Sequence, residues 1–139
     1  MSEFQFTIMG KPVAWQRTGM NSAGKGSAII YTKAKSRAYQ SLIREAAQKF
    51  WMDGPREVPF ALDVALCVKR PKNHFTKKGL KADAPIRCMR KPDLDNIAKQ
   101  IGDALNGVVW HDDSQVIELC SRRLWAEADS LSVVIQVLS

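Results

Sequence analysis

The chain has 139 residues, 45% of them hydrophobic, enough for one domain with its own core. Its net charge of +7 is unevenly spread: residues 1–91 carry 18 Lys and Arg against 6 Asp and Glu, or +12, while residues 92–139 carry 3 against 8, or −5. No run of about eighteen apolar residues occurs, which excludes a membrane-spanning helix, and the opening MSEFQFTIMG lacks the basic and apolar regions of a signal peptide, so a cytoplasmic protein is expected.

Three widely spaced cysteines, Cys67, Cys88 and Cys120, with only His74 and His111 beside them, support neither a disulfide framework nor a zinc site. They read as reduced packing residues. A basic body around a small acidic segment suits a polyanionic substrate, held by cations and cut or sensed at a metal. A ribosome or acidic-protein binder would also be basic, but would have no reason to concentrate its acids.

In chain order, Phe4 to Met9 alternates as a short strand, and Val13 to Arg17 follows as a second extended piece. The loop from Thr18 to Ser27 holds GMNSAGKG, one residue short of a phosphate-binding loop: Gly26 stands where Ser or Thr would bind magnesium, no buried strand feeds it, and Ser27 to Tyr31 looks like strand rather than helix. A flexible basic loop is expected there, and no nucleotide cofactor. Lys35 to Trp51 reads as an amphipathic helix with Tyr39, Leu42, Ile43, Ala46 and Phe50 on its apolar stripe, broken by Asp53-Gly54-Pro55.

Phe60 to Val68 alternates strictly and is expected at the centre of the sheet. Lys69 to Lys91 then loses periodicity and collects Arg70, Lys72, Lys77, Lys78, Arg90 and Lys91, with His74 among them, as expected of a loop that holds phosphates. Gln115 to Trp125 and Leu131 to Leu138 read as two consecutive strands, and hence as an antiparallel hairpin turning at Ala126 to Ser130. Trp15, Trp51, Trp110 and Trp125 suit a core as well as a base-stacking platform. The fold class is therefore α/β in the α+β sense: a single small domain, residues 1–139, with a mixed sheet of four to five strands and two main helices.

The segment KPDLDNIAKQIGDALNGVVWHDDSQVIEL, Lys91 to Leu119, organises the rest. Leu94, Ile97, Ala98, Ile101, Ala104 and Leu105 make one apolar face, predicting a helix from Asp93 to Asn106 with Gly107 as its C′ residue. Asp95, Lys99 and Asp103, at i, i+4 and i+8, project on another stripe. Pro92 disfavours helix at Lys91, placing a strand-to-helix junction where Asp93 and Asp95 can converge, and either Asp112 or Asp113 can return to complete a three-carboxylate cluster. Clustered carboxylates repel unless a cation neutralises them, and all-oxygen ligands select Mg²⁺ or Mn²⁺ over zinc. Lys99 is then placed to stabilise charge on a phosphate. The plainer assignment makes Asp93 or Asp95 a helix N-cap, Asp103 a solvated partner of Lys99, and Asp112-Asp113-Ser114 an acidic turn.

The run PDLDNIAKQIGDALNGVVWHDDSQV resembles the signature of the RusA family of Holliday junction resolvases, small dimeric endonucleases of bacteria, their phages and prophages. The likeness is dense over residues 91–119 and weaker in GKPVAWQR and RPKNHFTKKG. It implies a homodimer that cuts branched DNA with a divalent metal by paired, symmetrical nicks in recombination and repair. On the matching positions it implies Asp93, Asp95 and Asp113 as catalytic metal ligands, Lys99 as the helix lysine, and Asp112 and Asp103 as outer acids. Pro92 stands where some relatives are basic, shifting that contact to Lys91 or Arg90. Expected DNA contacts are Arg17, Lys25, Arg70, Lys72, His74, Lys77, Lys78, Arg90 and Lys91. The competing readings are a basic DNA-binding protein without catalysis and a metal-dependent phosphohydrolase of small nucleotides.

Overall fold

The computed structural model describes residues 2–14 and 26–139. Its elements are β1 (Glu3–Met9), α1 (Gly26–Gln48), β2 (Phe60–Lys69), β3 (Phe75–Thr76), β4 (Gly79–Leu80), α2 (Leu94–Ala104), β5 (Val116–Ala126) and β6 (Ser130–Val137). The main sheet has the order β1-β6-β2-β5, with β6 antiparallel to both β1 and β2 and β5 parallel to β2; β3 and β4 form a separate small hairpin. This mixed α+β domain matches the expected class, with the four-stranded sheet and two main helices.

Alternation creates the core. Phe4, Phe6 and Ile8 of β1, Phe60, Leu62, Val64 and Leu66 of β2, and Leu131, Val133 and Ile135 of β6 are all buried on one sheet face, where α1 and α2 pack. An aromatic chain runs through that layer, from Phe4 to Trp51 at 5.4 Å, Trp51 to Phe60 at 6.0 Å and Phe60 to Trp110 at 5.4 Å between centroids. Trp51 and Trp110 are therefore core residues, while Trp125 is half-buried and Trp15 lies outside the described residues.

Strands β5 and β6 do not form the hairpin that their succession suggests, because β2 lies between them. Since β2 and β5 are parallel, both end at the same edge, and the three-residue connection 127–129 arches over the end of β2. It must span two strand spacings, roughly 9–10 Å, which three residues allow. The arch is fastened by Asp129 Oδ1, which accepts from the Lys69 amide at 2.8 Å, and by the Ala126 carbonyl, which accepts from the Arg70 amide at 2.9 Å.

Helix α1 also departs from expectation. It begins at Gly26, so Ser27 to Tyr31 is helical rather than extended. Once Lys35 to Gln48 is helical, each added residue gains a hydrogen bond without a new nucleus, and isoleucine's propensity penalty of under about 0.7 kcal/mol does not stop it. A helix therefore does follow the GMNSAGKG segment, as a phosphate loop requires, but Gly26 still lacks the hydroxyl that would bind magnesium. Tyr39 and Ile43 face the core as expected, but Leu42 and Phe50 are exposed, and Ala47 and Trp51 take the inward positions. Ala47 has no bulk to hold the helix off the sheet, and Trp51 then fills the space beyond its end. Arg17 and Lys25 lie outside the described residues, as does most of the glycine-bearing loop.

Candidate active site

Helix α2 carries the acidic motif, and its burial explains its orientation. Ile97, Ile101, Ala104 and Leu105 are fully buried, fixing the stripe of Asp95, Lys99 and Asp103 toward the rim of β5. Asp93 is the N-cap residue, with extended backbone (φ −67°, ψ 137°) and no side-chain capping bond, and Asp95 lies in the first helical turn, where the helix dipole favours an anion. An irregular segment, not a strand, leads into the helix, and its Lys91–Pro92 peptide is cis. At the other end Leu105 is the C-cap, and Gly107, with φ +80°, turns the chain one residue later than expected.

The link 106–110 folds under the helix. Val109 and Trp110 are fully buried, and Trp110 Nε1 donates to the Gly102 carbonyl at 3.1 Å. A 3₁₀ turn, Asp113–Gln115, then presents the second acidic pair. Here the two aspartates part company. Asp112 is a capping residue: its Oδ2 accepts from the Ser114 amide at 3.1 Å, while Gln115 Oε1 accepts from the Asp112 amide at 3.2 Å and the His111 amide at 2.8 Å. Hydrogen bonding from the Ser114 side chain first, and from its amide second, holds the Asp112 carboxyl below the usual carboxylate range. Gln115 Nε2 donates to the carbonyls of Arg56 at 2.7 Å and Val58 at 2.9 Å, pinning the turn to the body.

Asp113 points instead at α2. Its Oδ2 lies 3.6 Å from Lys99 Nζ, which is also 3.7 Å from Asp103 Oδ1. Asp95, Lys99 and Asp113 line one cavity of about 260 Å³, floored by Leu62, Val116 and Leu119. Asp113 reaches this place because residue 102 is glycine: a Cβ there would sit 3.1 Å from Asp113 Cβ and 3.3 Å from Oδ2. Sequence reasoning passed over Gly102, although a glycine inside a helix, costing about 1 kcal/mol relative to alanine, is itself a sign of close approach.

Asp95, Lys99, Asp113 and, through Lys99, Asp103 are thus brought together. Asp93 and Asp112 are not in the lining of that cavity. Among the described residues no three His, Cys, Asp or Glu side chains stand close enough to hold a metal as they are placed. The donors sharing the cavity are nonetheless carboxylate oxygens alone, with no thiol or imidazole, and the seat left open at Gly102 brings Asp113 onto the same wall as Asp95. That donor set fits a hard divalent cation.

The expected DNA contacts divide. Arg70, His74 and Arg90 gather at Trp125: the His74 ring meets it edge-on at 4.9 Å, Arg90 Cζ lies 5.5 Å above it, and Arg70 Nη1 stands 3.4 Å from His74 Nδ1 while donating to the Pro85 carbonyl at 2.8 Å. Desolvation, then the cations Arg70, Arg90 and Lys81, holds His74 below its ordinary pKa. Lys72, Lys77, Lys78 and Lys91 are exposed, with Lys77 and Lys78 at the tip between β3 and β4. No helix among the described residues is long and apolar enough to cross a membrane.

Comparison with known proteins agrees in kind with these features. The sequence model of the family "Endodeoxyribonuclease RusA" matches residues 9–137. The chain is also similar to the uncharacterized protein YqaN of Bacillus subtilis (strain 168), with 30% identity over 142 residues, 100% of this chain and 99% of YqaN.

Proposed function

Since the chain belongs to the endodeoxyribonuclease RusA family, we propose that it is a metal-dependent, structure-selective endodeoxyribonuclease that resolves four-way DNA junctions by paired symmetrical nicks, serving recombination and repair. The observation that carries this reading is the cavity shared by Asp95, Lys99 and Asp113. Asp95 and Asp113, with Asp93 at the head of the helix, would hold one or two Mg²⁺ or Mn²⁺ ions. Such an ion supplies Lewis acidity toward a phosphodiester and makes a water acidic enough to attack at neutral pH.

The remaining work falls to the chain's own groups. Lys99 balances the carboxylate charge, and its ammonium is placed to meet charge that builds on the phosphate oxygens. Asp103 shares the ammonium and so fixes its direction along the helix. Asp112 does not face the reaction; it shapes the turn that aims Asp113. The cluster of Arg70, His74 and Arg90, with Lys72, Lys77, Lys78 and Lys91, holds the arms of the junction by their phosphates.

Two opposed cuts call for two sites, and we take the active species as a homodimer. Among the described residues β5 is an edge strand, which supports this: its far half is covered by the segment 86–88, but its near half exposes Ile117 at 63% and Leu119 at 55%, the latter in the lining of the cavity. The test is incubation of the protein and Mg²⁺ with an end-labelled synthetic four-way junction, a linear duplex of the same sequence and a mononucleotide ester. Paired nicks at symmetry-related positions in the junction alone support the reading. Binding without cutting under Mg²⁺ and Mn²⁺ would make it a DNA-binding protein, and turnover of the ester would make it a small-nucleotide phosphohydrolase.

A further inference from the structure

Arg123 looks by charge like one more phosphate contact, but its surroundings give it different work. It lies on the helix-facing side of β5, in register with the buried Leu66, and is itself half-buried. Its Nη1 donates to two main-chain carbonyls, of Arg90 at 2.8 Å and Pro92 at 3.1 Å. Its Nε is shielded from solvent and has no hydrogen-bond partner among the described residues. Leu94, the first residue of α2, lines the same cavity as Arg123.

The segment before α2 is stitched to β5 in two stages. Up to Cys88 the backbone does it: the Trp125 amide donates to the Ile86 carbonyl at 2.8 Å, the Cys88 amide donates to the Arg123 carbonyl at 3.2 Å, and Arg87 pairs with Leu124 as a single bridge. Past Cys88 the chain leaves the strand, and the guanidinium of Arg123 takes over, holding Arg90 and Pro92. Pro92 directly precedes Asp93, whose carbonyl opens the helix by accepting from the Ile97 amide at 3.2 Å.

We propose that Arg123 is a positioning residue for the head of α2, fixing the backbone that carries Asp93 and thereby setting Asp95 against the β5 wall that bears Val116 and Leu119. A planar fork with a permanent charge suits two carbonyls in fixed places, which a lysine ammonium would not hold in the same plane. The inference rests on the metal-site reading above for its consequence, though the clamp itself is a matter of geometry.

The experiment compares the full-length wild type with Arg123→Lys, which keeps the charge, and Arg123→Gln, which keeps a short donor if the lysine variant fails to fold. Amide hydrogen exchange over residues 89–97 reads the clamp without metal or DNA, and exchange there rises in the variants. Mn²⁺ titration of the protein without DNA shows weaker binding, by roughly 10- to 100-fold, as when an outer partner of a metal ligand is lost. Junction binding in Ca²⁺ is unchanged by Arg123→Lys. Unchanged exchange over residues 89–97 overturns the clamp, and so does a loss of junction binding at unchanged Mn²⁺ affinity, which would make Arg123 a phosphate contact. If the wild type itself binds no Mn²⁺, the metal-site reading fails, and hydrogen exchange still decides the clamp.

Discussion

Replacing Gly102 by alanine tests whether the helix and the Asp113 turn are built to meet. The added Cβ would stand 3.1 Å from Asp113 Cβ, against an ordinary carbon–carbon contact of about 3.5–4.0 Å. Something must therefore give by a few tenths of an ångström. The helix is held by Trp110 at the Gly102 carbonyl and by its buried face, and the turn is held by Asp112 and by all four bonds of Gln115. Turning the carboxylate relieves only the 3.3 Å contact with Oδ2; the Asp113 Cβ moves only with its backbone, so helix and turn must part slightly and carry the carboxylate with them. Alanine gains about 0.8–1 kcal/mol of helix propensity, while overpacking costs about 1–3 kcal/mol, so the net stability change is only about 0–2 kcal/mol. Metal affinity should respond more, falling roughly 10- to 100-fold as for other disturbed ligand settings. The assay is the Mn²⁺ dependence of junction cutting together with direct Mn²⁺ binding, with chemical denaturation as the control for folding. Unchanged Mn²⁺ affinity in a normally stable Gly102→Ala protein would refute the reasoning.

Gln100→Leu strips partners from Ser36, Gln40 and the Val13 carbonyl, all bonded to the fully buried Gln100 amide at 2.9–3.2 Å; a loss of about 2–4 kcal/mol in denaturant unfolding is expected, and a near-neutral result would contradict it. His74 is held below its ordinary pKa, so in the free protein it is neutral at pH 7 and takes up a proton only as pH falls past the normal histidine range. A phosphate beside it favours that proton; junction affinity in Ca²⁺ therefore strengthens as pH falls into the acid range where His74 takes up its proton, and His74→Gln flattens the profile, whereas identical profiles would remove His74 from the DNA surface. Ile117→Lys places a charge on the open β5 edge and should shift the protein to monomer in light scattering after size-exclusion chromatography; a dimer of unchanged stability would move the interface elsewhere.

What could be read from the sequence follows the reach of each signal. Strand β2 and helix α2 were legible because alternation from Phe60 to Leu66 and the spacing of Ile97, Ile101 and Leu105 are local patterns that burial makes periodic. The parallel pairing of β2 with β5 was not, since nothing in the short link 127–129 records that another strand lies beneath it. Leu42 and Phe50 fit the stripe of α1 yet face solvent, because the buried line runs through Ala47, with Ala46 only half-buried at its margin, a choice of one residue made by the sheet. The two acids of the motif's second half look alike in sequence and separate only through the cap that Asp112 forms. Gly102 and Arg123 act by what they leave room for and what they hold, and both partners are distant in the chain.

The most direct test of the central claim uses Asp95→Asn, Asp113→Asn and Asp112→Asn, each assayed on a labelled four-way junction with Mg²⁺ for cutting and with Ca²⁺ for binding. Asp95→Asn and Asp113→Asn should bind the junction at least as well as wild type and fail to nick it, while Asp112→Asn retains cutting at a reduced rate. Paired nicking retained by Asp95→Asn or Asp113→Asn would contradict the account.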